Sequence, residues 1–380
     1  MMSSTERVPS PAPADILALP NESGPLPDPV DHRAFQASSL TVSRWIAIIG
    51  ILAACTAVSA VACLQFGAQY IRPGEILAIL AGRDGDGVTG FNTTATILLQ
   101  VRLPRIVLGF LAGCCLASVG VALQALLRNP LADPYVLGVS SGAALGVSIA
   151  VLFGVGTTVL SLSVLPLCGF LGSLAALVVV YRMAVSYERL PIHSVLLAGV
   201  ILNAVFSALI MFITSIMDPN RAFGMMAWLM GSLTAPAYPM LVVFSIYVCV
   251  CFGLLLRQAR ALNIMASGEE QARSLGLDTE WTKRYTFLLS ALMTGAVVSV
   301  SGMIGFIGMV IPHAVRLAVG ADHRLLMPAS ALVGGTFLMV SDTVARTVLS
   351  PSELPVGILT ALVGGPFFVY LLVWRKDRMS

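Results

Sequence analysis

Apolar residues run in long unbroken stretches along this chain, separated by short polar intervals. Ten such runs are legible, over 45–66, 104–127, 138–156, 160–182, 193–214, 237–257, 284–301, 304–320, 326–348 and 356–374. A helix needs about 20 apolar residues to cross the hydrocarbon of a bilayer. Most of the runs reach that length, while the third and eighth are shorter and the eighth carries Pro312. The runs are continuous and rich in Ala, Leu and Gly, whereas a membrane strand would alternate apolar and polar positions. The pattern predicts an all-α polytopic membrane protein of about ten spanning helices, occupying residues 43–380. The preceding residues 1–42, rich in Pro, Ser, Ala and Asp and without periodicity, are expected to be a disordered cytoplasmic tail. They lack the apolar core of a signal peptide.

Composition sharpens this reading. Hydrophobic residues make up 57% and charged residues 11% of the 380, and the mean hydropathy is +0.90. That surplus exceeds what one water-soluble core can hide, because the surface itself would have to be apolar. A net charge of +3 without a basic, aromatic-interleaved stripe gives no reason to expect nucleic acid. Basic residues set the orientation. With the amino terminus inside, Arg44, Arg128, Arg182, Arg257, Arg260, Arg284, Arg316 and Arg324 fall on the cytoplasmic side, and only a few, such as Arg72 and Arg221, fall outside. An even number of spans returns the basic carboxyl end to the cytoplasm too. The seven cysteines all lie in apolar runs without metal-ligand spacing and read as packing residues. No metal site is expected.

Four segments carry candidate chemistry. Arg102-Leu-Pro-Arg105 opens the second run on its outer side, with Pro104 suited to a first helical turn. Its two arginines could snorkel at the interface or meet a carboxylate of an external partner. Asp342 and Arg346 stand four apart on one helix face in the outer part of the ninth run, where an ion pair relieves the cost of burying charge. Between the sixth and seventh runs, within 262–278, Ser267 and Glu270 have capping-box spacing and Gly276 is a helix stop. A helix of about two turns is predicted there, too short to stand alone and therefore docked on its own domain or on a cytoplasmic partner. Finally, Arg128-Asn-Pro-Leu-Ala-Asp-Pro breaks the chain at Asn129, Pro130, Asp133 and Pro134, and Gly138-Val-Ser-Ser-Gly142 fits the G-x-S-x-G pattern. A nucleophile elbow needs a strand before the turn, so a hydrolase acting through Ser140 is the weaker reading. The chain has two lysines, Lys283 and Lys376, and neither follows a glycine-rich loop, so no P-loop exists.

Together these segments resemble the FecCD family of ABC importer permeases, which includes cobalamin, haem and ferric-siderophore permeases. The matching stretches are Arg102–Arg105, Gln124 with Arg128–Pro134, Leu137–Ala143, Leu196–Gly199, Trp228–Gly231, Gly302–Arg316 with Pro312 and His313, Asp322–Arg324 and Glu353–Gly357. The resemblance implies a type II importer architecture and a homodimer with the path on its two-fold axis. It also implies a plasma-membrane location, a periplasmic or extracellular binding protein outside and two ATP-binding subunits inside, which would hold the ATP and Mg; no cofactor is expected on this chain. By position, Arg102, Arg105 and Arg346 match binding-protein docking residues. Ser267, Gly268, Glu269, Glu270, Ala272, Arg273, Leu275 and Gly276 match the ATPase-coupling helices. Leu190, Pro191, Ile192 and His193 match the cytoplasmic gate, where Pro191 and His193 depart from the small hydroxyl residues of the cobalamin permease. Import of an iron-siderophore, haem or cobalamin is the expectation. An ion-coupled secondary transporter is the alternative, with Asp342 as its nearest membrane-embedded carboxylate.

Overall fold

A computed structural model describes residues 41–67, 69–82, 89–155, 158–159, 162–185, 190–350 and 352–376. The expected disordered tail lies outside these, apart from its last two residues. In chain order the helices are α1 (Val42–Gln65), α2 (Pro73–Leu80), α3 (Thr89–Thr96), α4 (Leu103–Leu126), α5 (Val139–Leu152), α6 (Val164–Ala184) and α7 (Ile192–Ile216). They continue as α8 (Pro219–Leu229), α9 (Tyr238–Arg257), α10 (Ala259–Ala266), α11 (Glu269–Ser274), α12 (Thr279–Ser301), α13 (Ile307–Val319), α14 (His323–Ala345) and α15 (Val356–Lys376). Each of the ten apolar runs holds a helix, although the fourth is described only from the Leu162–Ser163 strand onward and the eighth turns helical only at Ile307. Among the described residues seven helices are long and apolar enough to span a bilayer, and α5, α13 and α15 are shorter apolar helices. A two-residue antiparallel ladder, Thr158 opposite Ser163, joins α5 to α6.

The second run does not begin at Pro104. Residues Thr93–Leu126 form one continuous helix, in which a π-helical stretch, Ile97–Arg102, links α3 to α4. The Leu103 N–H reaches back five residues to the Leu98 carbonyl. The widened turn makes room for the Pro104 ring, which in a regular helix would strike the carbonyl four residues earlier.

α4, α12 and α14 form the buried centre, and α1, α6, α7 and α9 turn apolar side chains such as Ile51, Leu171, Leu209 and Val243 outward. Small residues allow the closest crossings. A Cβ on Gly113 would lie 2.2 Å from the Gly334 carbonyl oxygen, where α4 crosses α14. One on Gly146 would lie 2.3 Å from the Cys168 carbonyl oxygen, where α5 crosses α6.

Three unwound stretches, 127–138, 230–237 and 302–306, meet inside the bundle. The Tyr135 hydroxyl accepts from Ile304 N–H at 2.7 Å and donates to its carbonyl at 2.9 Å. Ser232 N–H donates to Ser301 O at 2.9 Å, and Gly357 N–H to Gly231 O at 3.3 Å. Irregular backbone survives at membrane depth only where the protein supplies such partners.

Two prolines inside helices are compensated by other helices. Pro312 has no N–H for the Gly308 carbonyl, and Gln124 Nε2 of α4 donates to it at 3.3 Å and to Met309 O at 3.1 Å. Pro328 likewise leaves the Arg324 carbonyl, which accepts from Trp45 Nε1 of α1 at 3.1 Å. Replacing Gln124 with Leu orphans buried carbonyl oxygens, and a loss of about 1–3 kcal/mol is expected. Thermal unfolding of the solubilised protein measures it; an unchanged midpoint would show that the carbonyls find other donors.

Candidate functional site

At one end of the bundle the predicted arginines gather, but they face inward. Arg102, 3% exposed, donates through Nη1 to Leu64 O at 2.7 Å and Gln65 O at 3.0 Å, and through Nη2 to Gln69 O. It ties the end of α1 to the helix across from it. Arg105 grips Asp342 with Nε at 2.9 Å and Nη2 at 2.9 Å, and its Nη1 reaches Glu353 Oε2 at 2.9 Å. The pair expected within α14 is the looser one, with Arg346 Nε 4.0 Å from Asp342 Oδ2. Arg346 instead donates to Cys63 O and Thr343 Oγ1, each at 3.2 Å. The principal partner of Asp342 is thus Arg105 on α4, a pairing that spacing along one helix cannot reveal. All three guanidiniums are buried and occupied by internal acceptors, and Glu353 is the exposed member of the group.

The opposite end holds the residues expected to form the coupling segment and the gate. The short helix predicted near Ser267 exists as α11, but its cap differs. Gly268, at φ 128°, takes the N-cap position, and the Ser267 hydroxyl donates to Ile264 O at 2.7 Å. The capping box does not form, because a left-handed glycine turns the chain before Ser267 can reach the helix. Gly276 stops α11 as expected. At φ 81° its N–H donates to Arg273 O while Leu277 N–H donates to Ala272 O, a Schellman ending. The segment is tied down upstream by Asn263, which donates to Asp322 Oδ1 at 2.9 Å and accepts from His323 N–H at 2.8 Å. Arg324 beside Asp322 holds its carboxyl well below the usual carboxylate range.

α11 and the gate loop share one cleft of about 700 Å³, lined on one side by Pro191, Ile192 and His193 and on the other by Ser267 through Gln271. A charge network centred on the buried Lys283 bridges them. Lys283 of α12, its side chain 4% exposed, donates to Glu269 of α11 at 3.1 Å and to Glu280 of α12 at 2.6 Å. Arg273 joins the same two carboxylates at 2.5 and 3.4 Å. The other oxygen of Glu280 accepts the Leu190 N–H at 2.9 Å. Glu280 therefore touches the Leu190 backbone and the Lys283 counter-ion of α11 at once. Neither Glu280 nor Lys283 stood out in the sequence, where Lys283 was noted only as following no glycine-rich loop; their i,i+3 spacing at the start of α12 was the available signal.

The remaining motif residues are structural. Asn129 and Asp133 accept the N–H of Leu131 and Tyr135 at 2.9 and 2.8 Å, shaping the unwound 127–138 stretch. Pro130 and Pro134 bend it, and Pro134 packs on Gly308. Gly138, at φ 74°, starts α5 against the Gly199 backbone. His313 is half-buried on α13 beside Pro312. Ser140 follows a 3₁₀ turn, Pro134–Leu137, rather than a strand, and its buried hydroxyl meets no base.

The arrangement has close parallels. The FecCD transport family matches residues 42–374. The hemin transport system permease protein HmuU of Yersinia pestis is 41% identical over 285 residues, 75% of this chain and 85% of that protein. The cobalamin import system permease protein BtuC of Halobacterium salinarum is 43% identical over 288 residues, 76% of each. A solved structure, described as a metal-chelate type ABC transporter in an inward-facing conformation, superposes with a TM-score of 0.72 at 31% identity, covering 87% of this chain and 99% of that one. The apolar spans, the unwound interior and the short helix α11 accordingly have one explanation: the chain belongs to the FecCD transport family.

Proposed function

We propose that this chain is the membrane-spanning subunit of an ATP-driven importer in a bacterial plasma membrane, with both termini cytoplasmic. Two copies form the path, an external binding protein delivers a metal chelate, and two separate ATP-binding subunits supply the energy. The cargo class follows the hemin, cobalamin and metal-chelate relatives. The observation that carries the reading is the single cleft uniting α11 with the gate loop, bridged by Lys283 and Glu280. Movement of α11 drags Glu269, and with it the counter-ions of Glu280, whose other oxygen holds Leu190. Closure of the ATP-binding subunits is in this way transmitted to the gate.

The docking role implied for Arg102, Arg105 and Arg346 would require a partner carboxylate to compete with their internal acceptors. Arg105 is best placed for such an exchange, because Glu353 is half-exposed and shares it. The ion-coupled alternative gains nothing from the geometry, since Asp342 is clamped by a bidentate arginine rather than poised to trade protons.

Leu275 closes α11 with 69% of its surface exposed, a large apolar side chain on a polar element, and supplies the test. Fully burying a leucine side chain against a partner is worth about 1.5–3 kcal/mol, roughly 10- to 150-fold in affinity. Leu275→Asp is expected to strip the ATP-binding subunit from the purified complex while leaving the permease folded. Retention of that subunit at full stoichiometry would refute the assignment.

A further inference from the structure

The helix α2 follows the carboxyl end of α1 and carries apolar residues on two sides. Ile76 and Ile79, one turn apart, are buried in a cluster with Cys63 and Leu64 of the last turn of α1, Leu98 and Ile106 of the second span, and Met339. At about 100° per residue, Pro73, Leu77 and Leu80 share a face on one flank of that buried stripe, and Glu75 stands on the other. The Glu75 carboxylate accepts the Arg72 N–H at 3.3 Å. The apolar flank is bare: Leu77 is 69% exposed and Leu80 51%. Phe66 and Tyr70, packed edge to face with ring centroids 5.9 Å apart, are also more than half exposed.

Height decides what covers this surface. α1 has 24 residues and is about 36 Å long, against a hydrocarbon thickness of about 30 Å. Its two ends therefore lie at the two interfaces, and packing on Cys63 and Leu64 holds α2 at the level of one of them. α1 is also the least buried of the seven long spans, so its outward side chains, Val58 and Val61 among them, face lipid. Phe66 and Tyr70 continue that surface, and aromatic rings are favoured at headgroup level. With Ile76 and Ile79 against the bundle, one flank of α2 faces acyl chains and the other faces water. The charge of Glu75 assigns the flanks. A helix of this kind buries its apolar face about 5–10 Å into the headgroup–acyl boundary. We infer that α2 is an interfacial helix, with Pro73, Leu77 and Leu80 immersed in the phospholipid leaflet at the carboxyl end of α1 and Phe66 and Tyr70 beside them. A soluble partner approaching from the aqueous side meets the Glu75 flank instead.

The test places a tryptophan on each part of the surface, Leu77→Trp and, separately, Tyr70→Trp, in the full-length chain reconstituted into phosphatidylcholine vesicles. The four native tryptophans are removed by subtracting the spectrum of the unaltered chain. Each added tryptophan should be quenched more strongly by bromines at the top of the acyl chains than by bromines at the chain ends. Its emission should be blue-shifted and should not be quenched by aqueous iodide. Two exchanges at separate exposed positions guard against misfolding of either one. Iodide quenching without a response to bromine overturns the inference, because α2 then stands in water. So does no quenching by any of them, the outcome if a second copy or another part of the chain covers the flank.

Discussion

Asp342→Ala is expected to be the most destabilising single change in the bundle. It removes a carboxylate that is 2% exposed and leaves the Arg105 guanidinium with only the half-exposed Glu353. Breaking a buried ion pair from one side costs about 3–5 kcal/mol, because the remaining charge keeps its desolvation penalty and loses its counter-charge. Arg346, 4.0 Å from the same carboxylate, would be stranded as well. Removing both sides of the pair in Arg105→Leu/Asp342→Leu should be milder than Asp342→Ala, since the Arg105 charge goes with its partner and only Arg346, which keeps Cys63 O and Thr343 Oγ1 as acceptors, is left without a counter-charge. Thermal unfolding followed by size-exclusion chromatography separates the cases. A double variant less stable than Asp342→Ala would mean that α4 and α14 depend on the pair itself rather than on charge balance.

The second large effect is expected at Lys283, and it should appear in coupling before it appears in folding. Lys283→Met retains the apolar stem and deletes the cation that Glu269 and Glu280 share. Both carboxylates are part-exposed, so water can compensate them and the chain should fold. The link from α11 to Leu190 should slacken. Coupling free energies of about 1–3 kcal/mol correspond to about 5- to 150-fold changes, and ligand-stimulated uptake by the reconstituted complex should fall within that range. Basal ATP turnover should be retained, which separates lost transmission from lost assembly. Lys283→Arg should restore part of the coupling, incompletely because a planar fork does not reproduce the two ammonium contacts. Full stimulation in Lys283→Met would remove the network from the transmission path.

The spans were legible because bilayer solvent writes itself directly into hydropathy: a helix with no water to satisfy its backbone must be long, continuous and apolar. What escaped was local chemistry with two readings. Arg102-Leu-Pro-Arg105 looks like a helix start, since proline is at home there, and only the fold shows a π-helical turn absorbing it inside a longer helix. Ser267 and Glu270 have the spacing of a capping box, but the adjacent glycine offered a tighter entry to α11. The Arg105–Asp342 pair joins residues 237 apart in sequence, a distance at which no periodicity argument operates. The coupling and gate segments were placed through family resemblance. The bridge between them emerged only from the packing of α11, α12 and Leu190, two residues before α7.

Two of the proline-bearing helices, α13 and α14, bear on the order in which the molecule is made. The acceptors freed in α13 and α14 are satisfied by Gln124 and Trp45, side chains of α4 and α1. Segments synthesised early thus complete those synthesised late, and the amino-terminal helices act as a template awaiting the rest. A carboxyl-terminal half produced alone would enter the bilayer with a bare carbonyl at Gly308, while the Arg324 carbonyl, at the exposed start of α14, would turn to water. Co-expression of the amino-terminal half as a separate chain would supply the missing donors, so the nascent protein is committed to assembling from its first helix onward.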